Sequence, residues 1–598
     1  MKRTLSGVLS GTLYSVLASA SIQSGADKII NQVDPGLNIG IEVVDLSTGA
    51  TLYQRNKAKS FIPASNMKLF SDAAALMVLG PDYRFRNKLS TSSSQLQQGV
   101  LKGSLYLNLP GDPSFSRDRL AMLLDNLKGW HINRIVGNVI IDSSHAGVAP
   151  YAPGWMASDQ VYSYGAPVAP VMIDANRMIV TVNPGAAPGQ PAVVEVEDDV
   201  GSIVINNQVV TKEKGKRCGV DFSMDKDNHL TVRGCVALGQ WAVQQKMAIR
   251  NPLLYAQGLI KQQLNNANIV LEGQVMLGKA PSGSMLLSTD TSKPIAQLMA
   301  DTLKPSDNLY ADSLFLHAAD KLHGSPVNWG EAEPLVKNFL QQQTGINLQN
   351  AVLIDGSGLS RNDLLTPGQT VGLLRFLYDR FPLSYEYIAA LPVSGRDGTL
   401  QRRFKKPGQQ DMVRAKTGTM TGVVSLSGYL YTANDHTLAF AIFLNRIPGT
   451  SAAVSGRFRY VIDALCTYFL QQKPGNNWAK VFTTYPRIKY QLSPTQAELQ
   501  RGRQARWRRL ETQVKQALAG QAVTMLYRSD ELVLNDNQAD ASRVMNALQA
   551  LRKKYPFAVA LSSKSVPPAA GKPFVFWVEA PALPTQVQRV WTIREAVL

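Results

Sequence analysis

Residues 61–80 read FIPASNMKLFSDAAALMVLG, and the fold of the rest of the chain follows from this stretch. From Ser65 to Leu79 it is rich in Ala, Leu and Met, and Gly80 supplies the stop, which predicts a helix over 65–79. The run is apolar on nearly every side, so the helix is expected to be buried. At its start Ser65 and Lys68 stand one turn apart on one face. A serine needs a neighbouring base to become a nucleophile. A lysine serves when burial or another cation lowers its pKa. Ser65 at the helix start would also bring backbone N–H groups and the positive dipole end to a carbonyl under attack.

Ser-x-x-Lys alone is a weak signal, with about two chance matches expected in a chain this long. Ser223-Met224-Asp225-Lys226 is a second match, but it falls in a polar turn with no buried helix behind it. Two further motifs give the first its meaning. Ser306-Asp307-Asn308 precedes a helical run over 308–320 and reads equally well as an N-cap. A capping loop can still present a hydroxyl and an amide to a neighbouring site. Lys416-Thr417-Gly418-Thr419 precedes a strand that begins near Val424 and suits an edge strand. There Gly418 would remove bulk where a substrate backbone passes, Lys416 would supply a cation and Thr417 a hydroxyl.

Around these motifs the sequence is α+β. Residues 38–54 alternate about the turn Ser47-Thr48-Gly49 and predict an antiparallel hairpin. Residues 90–290 are short strand-like runs punctuated by Gly, Pro and Asn, with helix expected only at 116–129 and 252–267. Residues 292–380 return to helices. Residues 424–445 predict two long strands around Asn434-Asp435, and 453–472 an amphipathic helix. After Pro474 the composition shifts to a small α+β module. Helices are expected at 493–520 and 538–553, and strands at 522–528, 531–535, 557–562 and 573–579.

The bulk properties set limits. With 598 residues the chain should hold three or four domains. After the N-terminus no run of about 18 apolar residues occurs, so no membrane span is expected. Met1-Lys2-Arg3, the weakly apolar 4–17 and Ala18-Ser19-Ala20 predict an export signal cut after residue 20; if retained, it would serve as an anchor. The three cysteines are Cys218, Cys235 and Cys466. In an oxidising compartment Cys218 and Cys235 could pair across a strand–turn–strand; otherwise they are two separate buried thiols. Cys466 reads as core packing. For an exported protein the net charge of +18 points to anionic wall polymer or lipid rather than nucleic acid.

Together and in this order, Ser65-x-x-Lys68, Ser306-x-Asn308 and Lys416-Thr417-Gly418 resemble the motif set of serine penicillin-binding proteins and class A β-lactamases. The long β-rich insert between the first two motifs resembles the low-molecular-mass class C penicillin-binding proteins, the DacB-type D-alanyl-D-alanine carboxypeptidases and endopeptidases. Gly111-Asp112-Pro113, "DGSGLSR" at 355–361 and "SGRDGTL" at 394–400 resemble signatures of that family. The likeness spans about 25–475.

The resemblance implies a discontinuous transpeptidase-like catalytic domain at 21–89 and 292–476. It implies an inserted domain at 90–170 and 264–291, a nested β-rich domain at 171–263, and a module of unknown role at 477–598. Ser65 would attack the penultimate D-Ala carbonyl of a peptidoglycan stem peptide, and Lys68 would take its proton. Ser306 would relay a proton to the leaving D-Ala, and Asn308 would hold the substrate amide. Lys416 and Thr417 would bind the terminal carboxylate, with Lys416 supplying the field that depresses Lys68. The N–H groups of Ser65 and Thr419 would form the oxyanion hole, where losing one donor costs about 3 kcal/mol. Arg361 and Asp159 would read the stem-peptide diamino acid, although Arg361 reads equally well as a structural salt bridge. The implied enzyme is periplasmic, needs no cofactor or metal and is inhibited by β-lactam antibiotics.

Other chemistries fit less well. A β-lactamase would lack the insert and carry a Glu-bearing loop, which is not evident. No Gly-x-Ser-x-Gly elbow and no His-Glu-x-x-His occur. A non-catalytic wall binder would have lost part of the three motifs. In the C-terminal module Arg501, Arg503, Arg506, Arg508 and Arg509 crowd one stretch. They read as a solvated basic face or as a dock for wall polymer, a membrane surface or a protein partner.

Overall fold

The computed structural model describes residues 22–471, except 93–95, 144–146, 434, 449–450 and 452–454. Beyond these it describes Gln516 and four strands between 523 and 595. The chain divides into two units, 1–376 with 387–485 and 377–386 with 486–598.

In the first unit a five-stranded antiparallel sheet runs Val413–Met420, Val423–Tyr431, Thr437–Asn445, Ile39–Asp45, Thr51–Arg55. The expected hairpin at 38–54 is its far edge, and the strand carrying Lys416 is the other. The two strands after Lys416 are buried along almost their whole length, so their sequence is continuously apolar rather than alternating. One core comprises the inward residues of this sheet, the helix over 22–33 (Ala26, Ile30) and the helix Arg459–Leu470. Within the helix expected at 453–472, Ser455 is helical, a short 3-10 turn follows at Gly456–Phe458, and the helix Arg459–Leu470 continues from it; residues 453, 454 and 472 lie outside the described residues. Cys466 lies fully buried within Arg459–Leu470, as core packing requires.

The expected buried helix begins as a 3-10 turn, Ala64–Met67, and continues as Lys68–Leu79 with Gly80 as its C-cap. It packs against the helix Asn308–His323. Burial of every residue from Lys68 to Leu76 explains why its apolar surface goes all the way round.

Residues 86–291 form a separate set of sheets. Val275–Leu277, Val139–Ser143, Leu105–Leu109, Arg86–Thr91 and Met285–Thr291 make one. Two three-stranded sheets lie within residues 177–248. In one, Arg177–Asn183 is central; in the other, His229–Ala237 is central. Among the described residues of this segment, only the helices Arg117–Asp125, capped by Ser116, and Pro252–Asn266, capped by Asn251, interrupt the β structure at length. A shared core of Leu, Val and Ile joins these elements. Cys218 and Cys235 are bonded to each other, with Cα atoms 5.1 Å apart.

In the second unit the described strands form an antiparallel sheet ordered Val523–Arg528, Glu531–Asp536, Arg589–Glu595, Phe557–Ser562. Arg589–Glu595 was not expected, because its short apolar stretch is bracketed by charges. The expected strand at 573–579 and the helix at 538–553 lie outside the described residues. So do residues 1–20 and, Gln516 apart, the arginine-rich helix at 493–520. No described helix is long and apolar enough to cross a membrane.

Candidate active site

Ser65 sits on the 3-10 turn that opens the buried helix, half-buried, with Lys68 one turn below it at 0% exposure. The loop 355–358 closes over this turn. Gly358 is held at φ +78°, and a Cβ there would lie 1.9 Å from the Ala64 carbonyl oxygen, so only glycine fits. That close approach brings the Ser357 carbonyl to within 2.7 Å of Lys68 Nζ. Nζ also lies 2.6 Å from Asn308 Oδ1 and 3.1 Å from Ser65 Oγ.

The orientation of the Asn308 amide is fixed, because its Nδ2 donates to the Tyr164 carbonyl at 2.7 Å and so turns Oδ1 towards Lys68. Two of the three Lys68 neighbours, Asn308 Oδ1 and the Ser357 carbonyl, can only accept. A neutral amine donates to both and keeps its lone pair for the Ser65 hydroxyl. That is the arrangement general-base activation of a serine requires.

Ser306 has φ +67°, and its hydroxyl accepts from Lys416 Nζ at 2.8 Å. The helix cap is Asp307 rather than Ser306, since the Asp307 side chain accepts from Tyr310 N. Ser306 is therefore free to face Lys416. Arg177 secures the loop, donating to both Asp307 oxygens at 2.5 and 2.7 Å and to the Ser163 carbonyl at 2.9 Å.

Lys416 Nζ also donates to the Thr417 carbonyl, and the Thr417 hydroxyl to Thr399 Oγ1 at 2.8 Å. On this edge strand Ala415 N–H points away from the sheet, to the Pro392 carbonyl. Strand alternation sends the N–H groups of Thr417 and Thr419 to the same free edge. Gly418 was expected to clear room for a substrate backbone. Instead it makes room for the protein itself: a Cβ there would lie 2.2 Å from Ser425 Oγ and 2.9 Å from the Pro63 carbonyl, beneath the Ser65 turn.

Burial lowers the Lys68 ammonium to about 8, opposed by the charges of Asp312, Asp355, Asp307 and Asp72. Burial is thus the main cause, in place of the Lys416 field expected from sequence. Lys416 is itself held well below the usual lysine range, first by burial and then by Lys68. Burial likewise raises the carboxyls of Asp72 and Asp312 well above theirs. Neither Asp72 oxygen has a hydrogen-bond partner among the described residues.

Arg361 makes no ion pair among the described residues. Its Nε lies 3.0 Å from Met156 Sδ and its Nη1 3.2 Å from the Thr421 carbonyl. Asp159 accepts from Tyr164 Oη at 3.1 Å. Asp159 thus joins, through Tyr164, the segment that orients Asn308. Ser223 and Lys226 of the second Ser-x-x-Lys are both exposed, and Lys226 pairs with Asp227. The Ser357 carbonyl, Tyr164 and Arg177 were not foreseen. Two of the three contacts run through backbone carbonyls, to which residue type is no guide.

The profile of the D-Ala-D-Ala carboxypeptidase 3 (S13) family matches residues 22–467. Over 450 residues the chain is 30% identical to the D-alanyl-D-alanine carboxypeptidase DacB of Haemophilus influenzae, covering 73% of this chain and 92% of that one. Over 430 residues it is 30% identical to a D-alanyl-D-alanine carboxypeptidase of Actinomadura sp., covering 69% and 79%. The crystal structure of penicillin binding protein 4 (dacB) from H. influenzae superposes with a TM-score of 0.70 at 27% identity, over 75% of this chain and 99% of that one. The same protein complexed with a β-lactam gives 0.65 at 28% identity, over the same shares. Motifs, fold and profile agree over most of the sequence: the chain belongs to the D-Ala-D-Ala carboxypeptidase 3 (S13) family of serine peptidases.

Proposed function

We propose that the protein is a periplasmic D-Ala-D-Ala carboxypeptidase and DD-endopeptidase acting on peptidoglycan stem peptides through an acyl-enzyme on Ser65. The observation that carries this reading is the Lys68 environment: a buried amine with two fixed acceptors and one serine hydroxyl.

Lys68 takes the Ser65 proton as Oγ bonds to the penultimate D-Ala carbonyl carbon. The N–H groups of Ser65 and Thr419 receive the oxyanion. The C–N bond then breaks, and the proton passes by way of Ser306 to the leaving amine. Water hydrolyses the ester, returning the proton to Ser65 and releasing the shortened peptide. Lys416 and Thr417 bind the substrate carboxylate, which restores the lysine proton that burial disfavours. Asn308 holds the substrate amide while orienting Lys68. Arg361 binds the carboxylate, and Asp159 the amine, of the stem-peptide diamino acid.

A β-lactam enters the same path. Its ring amide opens onto Ser65, but the leaving amine stays tethered. We further infer that residues 21–89 and 292–476 form the catalytic body, with 90–170 and 264–291 inserted, 171–263 nested and 477–598 appended. The test is D-Ala release from a stem pentapeptide and cleavage of cross-linked dimers. Wild type should release D-Ala and split the dimer. Penicillin labelling without either product would overturn the reading.

A further inference from the structure

Within the nested sheets, Trp241 is 92% exposed, well above the other exposed large apolar side chains of the described residues. It follows the turn after the strand His229–Ala237, where Gln240 N donates to the Ala237 carbonyl at 3.0 Å. The turn is not loose. Leu238 N donates to the Lys212 carbonyl at 2.9 Å, pinning it to the end of the strand Val204–Lys212. The loop that leaves Lys212 is held in turn by the Cys218–Cys235 disulfide.

This second loop reads KEKGKR over 212–217, and all six residues are exposed. Its one acid, Glu213, lies 3.9 Å from Lys216, which leaves a net positive loop. The Lys214 side chain runs alongside Gly239, whose Cβ would lie 3.6 Å from Lys214 Cε. Cations and indole therefore occupy one tip of two braced loops.

An indole held in water exposes a large apolar ring with a single N–H donor. The interfacial layer of a bilayer accepts both parts of that group. Neighbouring lysines gain from anionic headgroups over the same few ångströms. Residues 239–242 are all exposed, so the indole stands among exposed neighbours. A bilayer interface receives a projecting side chain with an apolar ring and one donor. We propose that this tip docks on an anionic lipid surface, with Trp241 entering the headgroup layer and Lys212, Lys214, Lys216 and Arg217 facing lipid phosphates. This goes beyond the peptidase reading and does not depend on it.

The test uses the full chain with vesicles of phosphatidylglycerol and phosphatidylethanolamine, vesicles of phosphatidylcholine alone, and purified sacculi. Wild type should float with the anionic vesicles, and added salt should weaken this. Trp241→Ser and the double variant Lys214→Glu/Lys216→Glu should each lower partitioning by roughly tenfold. Trp241→Tyr should keep most of it. Brominated lipid should quench wild-type emission more than that of Trp241→Tyr. Fluorescent penicillin labelling, unchanged in every variant, reports folding. The proposal is overturned if wild type does not bind, if the variants partition like wild type, or if Trp241→Ser loses binding to sacculi only.

Discussion

At the residue scale the account rests on the protonation of Lys68. Only the neutral amine can take the Ser65 proton, and burial sets its ionisation near pH 8. Below that pH the ammonium form dominates and cannot act as a base. The acylation rate constant with penicillin should therefore fall as pH drops through about 8 and level off above it, as a stopped-flow pH profile would show. A profile flat from pH 6 to 9 would count against Lys68 as the base. Lys68→Ala should lower acylation by about 1,000-fold or more while leaving the fold intact. The serine and lysine were legible once Ser306-x-Asn308 and Lys416-Thr417-Gly418 stood beside them, since Ser223 and Lys226 share their spacing. The acceptors around the Lys68 amine were not, because one is a main-chain carbonyl and the other an amide whose orientation depends on Tyr164.

At the element scale, two local constraints fix the site. The loop at 355–358 can approach Ala64 only because residue 358 is glycine at positive φ. Gly358→Ala should cost about 3 kcal/mol or more and slow acylation, measured by thermal unfolding together with penicillin labelling. Arg177, on the first strand of the nested sheets, ties the Asp307 loop to residue 163. Arg177→Met should lower the rate of acylation by about tenfold through a misplaced Ser306 and Asn308, with Tm changed by only a few degrees. A fall in Tm with no change in acylation would make this pair purely structural. The sequence could not reveal the Arg177 contact, since it joins residues far apart in the chain. The hairpin at 38–54, the buried helix and the long strands after Lys416 were legible because their periodicity and burial agree. The 3-10 turn at Gly456–Phe458 was not, because the apolar pattern runs through it.

At the scale of the whole molecule, S13 family membership matches the long β-rich interval between Ser65 and Ser306, visible in the sequence as strands between Gly and Pro turns. How those strands pair was not visible, because several pairings are parallel and cross between distant segments. The Cys218–Cys235 bond closes a short loop within this interval. Its removal by Cys218→Ser should destabilise the nested sheets by about 3 kcal/mol. Hydrogen exchange should rise over 204–237, and penicillin labelling at Ser65 should persist. The central claim is that one serine carries the acyl group. It is tested most directly by mass mapping of the penicilloyl adduct on wild type and Ser65→Ala. One adduct is expected, on the peptide containing Ser65, and none in the variant. An adduct on another residue, or one that survives Ser65→Ala, would contradict it.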